Sequence, residues 1–273
     1  MTLNEYPDVI QGSDEWHDQR RGIVTASVVG QLVSVGSADG LDVGCATCGA
    51  VAESPCFSLT RKEPTPIKTL HPGRIALAAS RPPVISVADN EKSRSLVATL
   101  AAERVTGWTD PVFVSSDMMR GTLDEPFARN LYDEHYSPVT EIGFTARTED
   151  GWTLGYSPDG LVGDGGLIEV KSRKSKGQLT TILADDVPPW HMAQCQAGLL
   201  VTGRKWLDYV SYCSGMPLYV KRVQPDPSWQ EAIVKACIDF ERKVAEITDV
   251  YTERTANLFP TERIDHNDIG LVF

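Results

Sequence analysis

The strongest constraint on this chain is an acid in a turn, followed ten residues later by an acid and a lysine two apart. The segments are Ser157-Pro158-Asp159-Gly160 and Leu167-Ile168-Glu169-Val170-Lys171. Pro and Asp-Gly favour a turn, and the apolar-flanked run favours a strand. Strand side chains alternate faces, so Glu169 and Lys171 point one way while Val170 points into a core. A turn acid brought beside them gathers two carboxylates and an ammonium around one point. Such a set can hold a divalent cation and activate a water next to a phosphate. Each segment alone also reads as a plain turn or a solvated strand face, and it is their order and spacing together that single them out.

The chain has 273 residues, enough for one large domain or for one domain carrying an inserted module. With 26 basic and 37 acidic side chains, its formal charge is −11. That total argues against broad adhesion to nucleic acid, so any phosphate-binding surface must be concentrated in one place. Met1 to Trp16 lack the apolar core of a signal peptide, and no stretch approaches a membrane span. The expectation is a cytoplasmic protein with no membrane partner. In that compartment its six cysteines are expected to be metal ligands or buried thiols rather than disulfides.

The pattern predicts a capped helix start at Thr25-Ala26-Ser27, a helix from Glu91 to Val105 stopped by Gly107, and a second from about Asp117 to His135. Strands are predicted at Thr140–Ala146, Thr153–Ser157 and Leu167–Lys171. A helix opened by Pro188-Pro189 and closed by Gly203 follows. Two more strands, Lys205–Tyr212 and Leu218–Val223, precede a last helix from about Ser228 to Ile247. This order suits an α/β fold, a mixed sheet flanked by helices. Between residues 36 and 90 the pattern dissolves into Gly, Ser, Pro and Cys. A structureless loop of that length is unusual, so the segment is expected to be a small inserted unit, with residues 1–35 and 91–273 forming the main domain.

Two helices offer further site candidates. Gly121, Glu125, Ala128 and Tyr132 share one helix face, which turns Glu125 inward beside an aromatic and small residues. An inward carboxylate needs a partner, either a metal or an ion pair with Arg120 or Arg129. On the later helix, His191, Gln194 and Ala197-Gly198 share a face and Gln196 lies off it. Gln194 is the candidate to bind a phosphate oxygen or a ligand water, with His191 a weaker one. Near the start, Trp16-His17, Arg20, Gly22 and Thr25-Ala26-Ser27 lead to a helix N-terminus, where amides, a hydroxyl and a guanidinium could grip phosphate.

Inside the insert, Cys45-x-x-Cys48, Cys56 and His71 have the composition of a closed tetrahedral Cys₃His zinc site. The insert has few apolar residues, and a structural Zn²⁺ would replace the missing core. Arg61, Lys62, Lys68, Arg74 and Arg81 against the single acid Glu63 suggest a phosphate-facing surface.

Taken in order along the chain, these segments resemble the lambda exonuclease and YqaJ-like viral recombinase family of the PD-(D/E)XK nuclease superfamily. The resembling residues are Gln11-Gly12, Trp16-His17, Arg20, Gly22 and Thr25-Ala26-Ser27, then Gly121, Glu125 and Ala128. They continue through Ser157 to Leu161, Glu169-Val170-Lys171, Met192-Ala193-Gln194, Gln196 and Trp206. The cysteine insert resembles zinc fingers of actinobacterial and actinophage proteins. The family resemblance implies a restriction-endonuclease-like fold with the zinc module inserted. It implies that Asp159, Glu169 and the Val170 carbonyl hold two Mg²⁺ ions, with Mn²⁺ as an alternative and Glu125 assisting. Lys171 would orient and help deprotonate the attacking water, Gln194 would steady water or phosphate, and Arg20 and Ser27 would grip a 5′-phosphate.

The implied activity is 5′-to-3′ degradation of one strand of linear duplex DNA to mononucleotides. It leaves a 3′ overhang for a single-strand annealing protein in phage-type recombination. The implied assembly is a homotrimeric ring in the cytoplasm of a bacterial host. The alternatives are an endonuclease of the same superfamily and a non-catalytic DNA-end-binding scaffold. Ser172-Arg173 departs from the cysteine and proline that follow the lysine in several relatives.

Overall fold

Short-range chemistry sets most element ends in this computed structural model, which describes residues 2–111 and 113–264. The chain opens with β1 (Thr2–Tyr6), α1 (Asp14–Arg20), the two-residue β2 (Val24–Thr25) and the short α2 (Ala26–Val29). β3 (Val33–Gly36) leaves the body, α3 (Pro72–Ala79) lies within the excursion, and β4 (Val84–Val87) returns antiparallel to β3. α4 (Glu91–Thr106) begins at a reciprocal Asn90–Ser93 cap and ends on Gly107, whose φ of +64° only glycine adopts freely. α5 (Ser116–His135) is capped by the Ser115 hydroxyl.

The hairpin β5 (Phe144–Glu149) and β6 (Trp152–Tyr156) is followed by β7 (Gly160–Val162) and β8 (Gly166–Ser172). Then come α6 (Ser175–Ala184), α7 (Pro189–Thr202), β9 (Trp206–Tyr212), β10 (Tyr219–Val223) and α8 (Pro227–Thr255). No helix among the described residues is long and apolar enough to cross a membrane.

The strands form two four-stranded mixed sheets, ordered β1-β5-β6-β2 and β10-β9-β8-β7. In the second sheet the parallel β8–β9 pair lies at the centre. Its alternation divides the core. Leu167, Leu207 and Tyr209 join Leu154, Tyr156, Leu199, Ile233 and Phe240 in the main cluster, covered by α7 and α8. Ile168, Val170 and Val210 face Ala128 and Tyr132 of α5 in a second cluster. The sheet is therefore buried on both faces, as expected for parallel strands.

The mixed α/β architecture with flanking helices agrees with the sequence expectation, with its strands apportioned to two four-stranded sheets and the β3–β4 pair. Among the elements with no counterpart in the sequence reading are β1, α1 and α6, besides the short β2, β3, β4, β7 and α3. β1 and α1 bury no residue, and the inward residues of α6 are Gln178 and Thr181. Gln178 anchors α6 by donating to the Ser211 and Pro217 carbonyls at 3.0 and 2.8 Å. Polar anchoring leaves no hydrophobic period to read. The strand expected from Thr140 begins at Phe144, with Thr140 making an isolated bridge to Leu161.

Candidate active site and metal centre

β7 runs beside β8 as far as Gly160, which pairs with Ile168. Beyond that point the edge of β8 would be bare, and Asp159 occupies it: its Oδ2 accepts the Val170 amide at 2.6 Å. The Pro-Asp turn thus docks its carboxylate on the strand that carries Glu169 and Lys171. Lys171 Nζ lies 2.5 Å from Glu169 Oε1, so the two side chains share a face as the period of two requires. Gln194 of α7 donates to the same oxygen at 2.5 Å. Tyr156 of β6, a residue the sequence reading passed over, donates its hydroxyl to Glu169 Oε2 at 2.9 Å. Glu169 is fully buried and takes donors on both oxygens.

Glu125 reaches this group from α5 and also pairs with Arg129 one turn on. Of its two expected partners, the ion pair with Arg129 is the one the structure shows, while the charge of Glu169 also acts on its carboxyl. Arg129 Nε in turn donates to the Asp159 carbonyl at 2.8 Å, tying α5 to the Pro-Asp turn. Gly121 lines the same cleft, whereas Ala128 and Tyr132 are core residues.

The electrostatics show a centre short of positive charge. Burial, then the charges of Glu169 and Glu125, push the Asp159 carboxyl well above its usual range. Burial also raises Glu125; Arg129 opposes the rise and Glu169 adds to it. Burial would lower Lys171, but Glu169 and Asp159 more than offset it and hold the side chain as an ammonium. Asp159, Glu169 and Glu125 line one cleft and offer hard oxygen donors of the kind Mg²⁺ takes, with Lys171 and Arg129 as the cations beside them. The donor set therefore fits a divalent cation.

The phosphate-grip candidates lie in the same cleft of about 400 Å³. Gly22 turns at φ +67°, with Glu103 Oε2 accepting its amide at 2.7 Å and Arg104 Nε donating to its carbonyl at 2.6 Å. Arg20 follows Trp16 by one turn of α1, and its guanidinium carbon lies 3.8 Å from the ring centroid. Arg20 Nη2 donates to Thr25 Oγ1 and Ser27 Oγ at 3.4 Å each, and Nη1 to Ser157 Oγ at 3.3 Å. Burial lowers Arg20 to about 10, against the charge of Glu103, and it stays a cation at neutral pH. Thr25 stands at the N-cap position of α2 without a side-chain cap bond; its hydroxyl instead meets Ser27 Oγ at 3.1 Å. The expected cap is thus spent on the pocket.

His191, the weaker candidate, and Gln196, which the helix period sets off the candidate face, stand apart from the cleft. His191 Nδ1 is 2.8 Å from the Tyr209 hydroxyl. Gln196 braces the start of α8, donating to Gln224 O and accepting from Asp226 N at 2.8 and 2.9 Å.

Cys45, Cys48, Cys56 and His71 converge, with ligand atoms all within 4.8 Å of one another. Burial would raise the Cys45 thiol. The amides of Cys48 and Thr47 and the His71 ring outweigh it and bring it down to about 6. Thiolate character and a Cys₃His set fit a closed structural Zn²⁺ site.

One sequence expectation fails here. Arg74, read as part of a phosphate-facing surface, is 1% exposed. Its Nε donates to Gly40 O at 2.6 Å and Val43 O at 2.8 Å, and its Nη1 to Ser54 O at 2.7 Å. Nη1 also lies 3.5 Å from Cys56 Sγ. The finger has too few apolar side chains for a core, and a guanidinium with five donors gathers its loop carbonyls instead. Arg61, Lys62, Lys68 and Arg81 remain exposed.

These features agree with the comparisons. Residues 71–205 match the YqaJ-like viral recombinase domain, and residues 11–89 match a DNA-binding phage zinc finger domain. An alkaline exonuclease (LHK-Exo) from Laribacter hongkongensis has a similar structure: TM-score 0.64 and 25% identity, over 90% of this chain and 100% of that one. The same enzyme in complex with dAMP gives a TM-score of 0.63 at the same identity and coverage. No curated protein sequence matches the chain significantly. Residues 71–205 thus resemble a YqaJ-like viral recombinase domain and residues 11–89 a phage zinc finger domain, on a fold similar to that of an alkaline exonuclease.

Proposed function

We propose that this chain is a Mg²⁺-dependent exonuclease. It consumes one strand of linear duplex DNA from a 5′-phosphorylated end, releases mononucleotides and leaves a 3′ single strand for recombination. The observation that carries the reading is one cleft lined both by Asp159, Glu169 and Lys171 and by Arg20 and Ser27. An anion grip beside a carboxylate–ammonium centre suits a strand held by its terminal phosphate. The likeness to an alkaline exonuclease supports an exonuclease, and that enzyme's complex with dAMP accords with mononucleotide release.

Asp159, Glu169, the Val170 carbonyl and Glu125 would hold the metal, Mg²⁺ or Mn²⁺. When bound it would stabilise charge on the attacking and leaving oxygens. Lys171 Nζ, kept protonated by Glu169 and Asp159, hydrogen-bonds the attacking water and offsets charge gathering on the phosphate. Gln194 and Tyr156 fix the orientation of Glu169, so Gln194 acts through the carboxylate rather than on phosphate directly. Arg20 and Ser27 hold the end. Phosphate contacts carry no sequence information, which suits degradation of any sequence. By the same resemblance the chain assembles as a homotrimeric ring around duplex DNA and passes its 3′ overhang to a single-strand annealing protein.

Digestion of 5′-phosphorylated and 5′-hydroxyl linear duplexes, with Mg²⁺ and with chelator, tests the proposal. The phosphorylated end is expected to be consumed faster, chelator to stop both, and closed circular duplex to resist. Lys171→Ala should abolish hydrolysis while DNA binding persists. Complete digestion of the circle would replace the exonuclease reading with an endonuclease.

A further inference from the structure

A second groove, of about 330 Å³, lies beside the active-site cleft, and Ser27 lines both. One wall is the start of α7, with Trp190. The other is Val33 and Val35 of β3 and Lys92 in the first turn of α4. The groove thus sits where the stem of the zinc module meets the body, and neither the carboxylate centre nor the zinc ligands use it.

Trp190 is the informative residue. It is 67% exposed, although the rest of α7 is largely buried. Its ring is braced edge-on by His191, centroids 5.8 Å apart, and the guanidinium carbon of Arg173 lies 5.8 Å from its centroid. Arg173 follows Lys171 by two residues, and its buried Nε has no hydrogen-bond partner among the described residues. A braced, water-facing indole with the Arg173 guanidinium near its ring and Lys92 lining the same groove has the chemistry that takes up single-stranded nucleic acid: a base stacks on the ring and a phosphate meets a cation.

We propose that this groove is a subsite for an unpaired nucleotide of the substrate strand, adjoining the phosphate held at Arg20 and Ser27. Its base stacks on Trp190 and its phosphate faces Lys92. The proposal rests on the exonuclease reading and adds to it. Because Ser27 belongs to both grooves, a strand whose 5′ end projects past the phosphate grip continues into the second one. Stacking accepts every base, so the subsite imposes no sequence preference.

The test compares a blunt 5′-phosphorylated duplex with the same duplex carrying a short 5′ oligo-dT extension. Trp190→Ala should raise KM for the extended substrate roughly tenfold and leave the blunt one unchanged, Trp190→Phe should restore it, and Lys92→Glu should act like Trp190→Ala. Equal losses on both substrates, or none on the extended one, would overturn the subsite. Binding of fluorescein-labelled oligo-dT in chelator, followed by anisotropy, needs no hydrolysis. It should weaken in Trp190→Ala and recover in Trp190→Phe. A wild-type protein that digests neither duplex but loses oligo-dT binding in Trp190→Ala would fail the exonuclease reading and keep the subsite.

Discussion

The Tyr156 hydroxyl donates to Glu169 Oε2 at 2.9 Å, and this bond joins the two four-stranded sheets at the acid–lysine cluster. The ring lies across bare Gly198 of α7, where a Cβ would come within 2.8 Å of it. Tyr156→Phe keeps the ring and removes the donor. Loss of a group that orients a metal-binding carboxylate typically costs about 10–100-fold in metal affinity or activity. A Mg²⁺ titration of exonuclease rate should therefore shift upward by about that amount, with little change in Tm. An unaltered titration would show that Tyr156 only packs.

Among the described residues Arg20 makes no ion pair: its hydrogen-bond partners are the hydroxyls of Ser157, Thr25 and Ser27. Arg20→Gln should remove the preference for a 5′-phosphoryl over a 5′-hydroxyl end. Hydrogen bonds to charged groups contribute about 1.5–3 kcal/mol, so phosphorylated duplex should lose roughly tenfold to a hundredfold in kcat/KM. The hydroxyl end should hardly change. A variant that slows equally on both ends would place Arg20 in the scaffold instead.

Removing Arg74 strips donors from loop carbonyls that have little other support. Arg74→Met is expected to destabilise the finger by roughly 3 kcal/mol or more, given the cost of unsatisfied buried polar groups. Limited proteolysis should then cut between residues 40 and 80, as it should in chelator-treated wild type. Hydrolysis of short duplexes, which depends on the other centre, should persist. Intact zinc content and unchanged protease resistance would contradict this account.

His191 titrates far from its ordinary value. Burial, then the charges of Lys171 and Arg173, lower it from 6.5 to about 3. The unfolded chain binds this proton at a higher pH than the folded one. The stabilisation from a neutral His191 is thus complete above about pH 6.5 and is lost as pH falls toward about 3. His191→Gln should make the decline of Tm between pH 7 and pH 4 shallower. An identical slope in wild type and variant would count against the assignment.

The strand that carries Glu169 and Lys171, the Cys₃His cluster and the long helices were legible in the sequence because their signals are local. Glu169 and Lys171 share a face by the strand period alone, and Gly107 and Gly203 mark helix ends by their positive φ. The elements that escaped were those held by polar contacts, such as α6 on Gln178. Arg74 escaped for a related reason. Its composition reads as surface charge, and only the closed finger shows six surrounding groups that bury it. Tyr156 sits in an apolar strand and carries no motif, so nothing but the sheet arrangement reveals its hydroxyl beside Glu169.

By itself, the sequence determined which residue types could do this chemistry and which faces of their own elements they occupy. Tertiary structure decided their neighbours. Gln194 reaches Glu169 across 25 residues of chain, and Trp16 reaches Ser157 across 141. Side-chain periodicity is a property of a few adjacent residues, whereas contacts across such separations follow from strand order and from where each helix buries its face. That is why the acid–lysine pattern could be read along the chain, and why the shared cleft that joins it to Arg20 and Ser27 appeared only on folding.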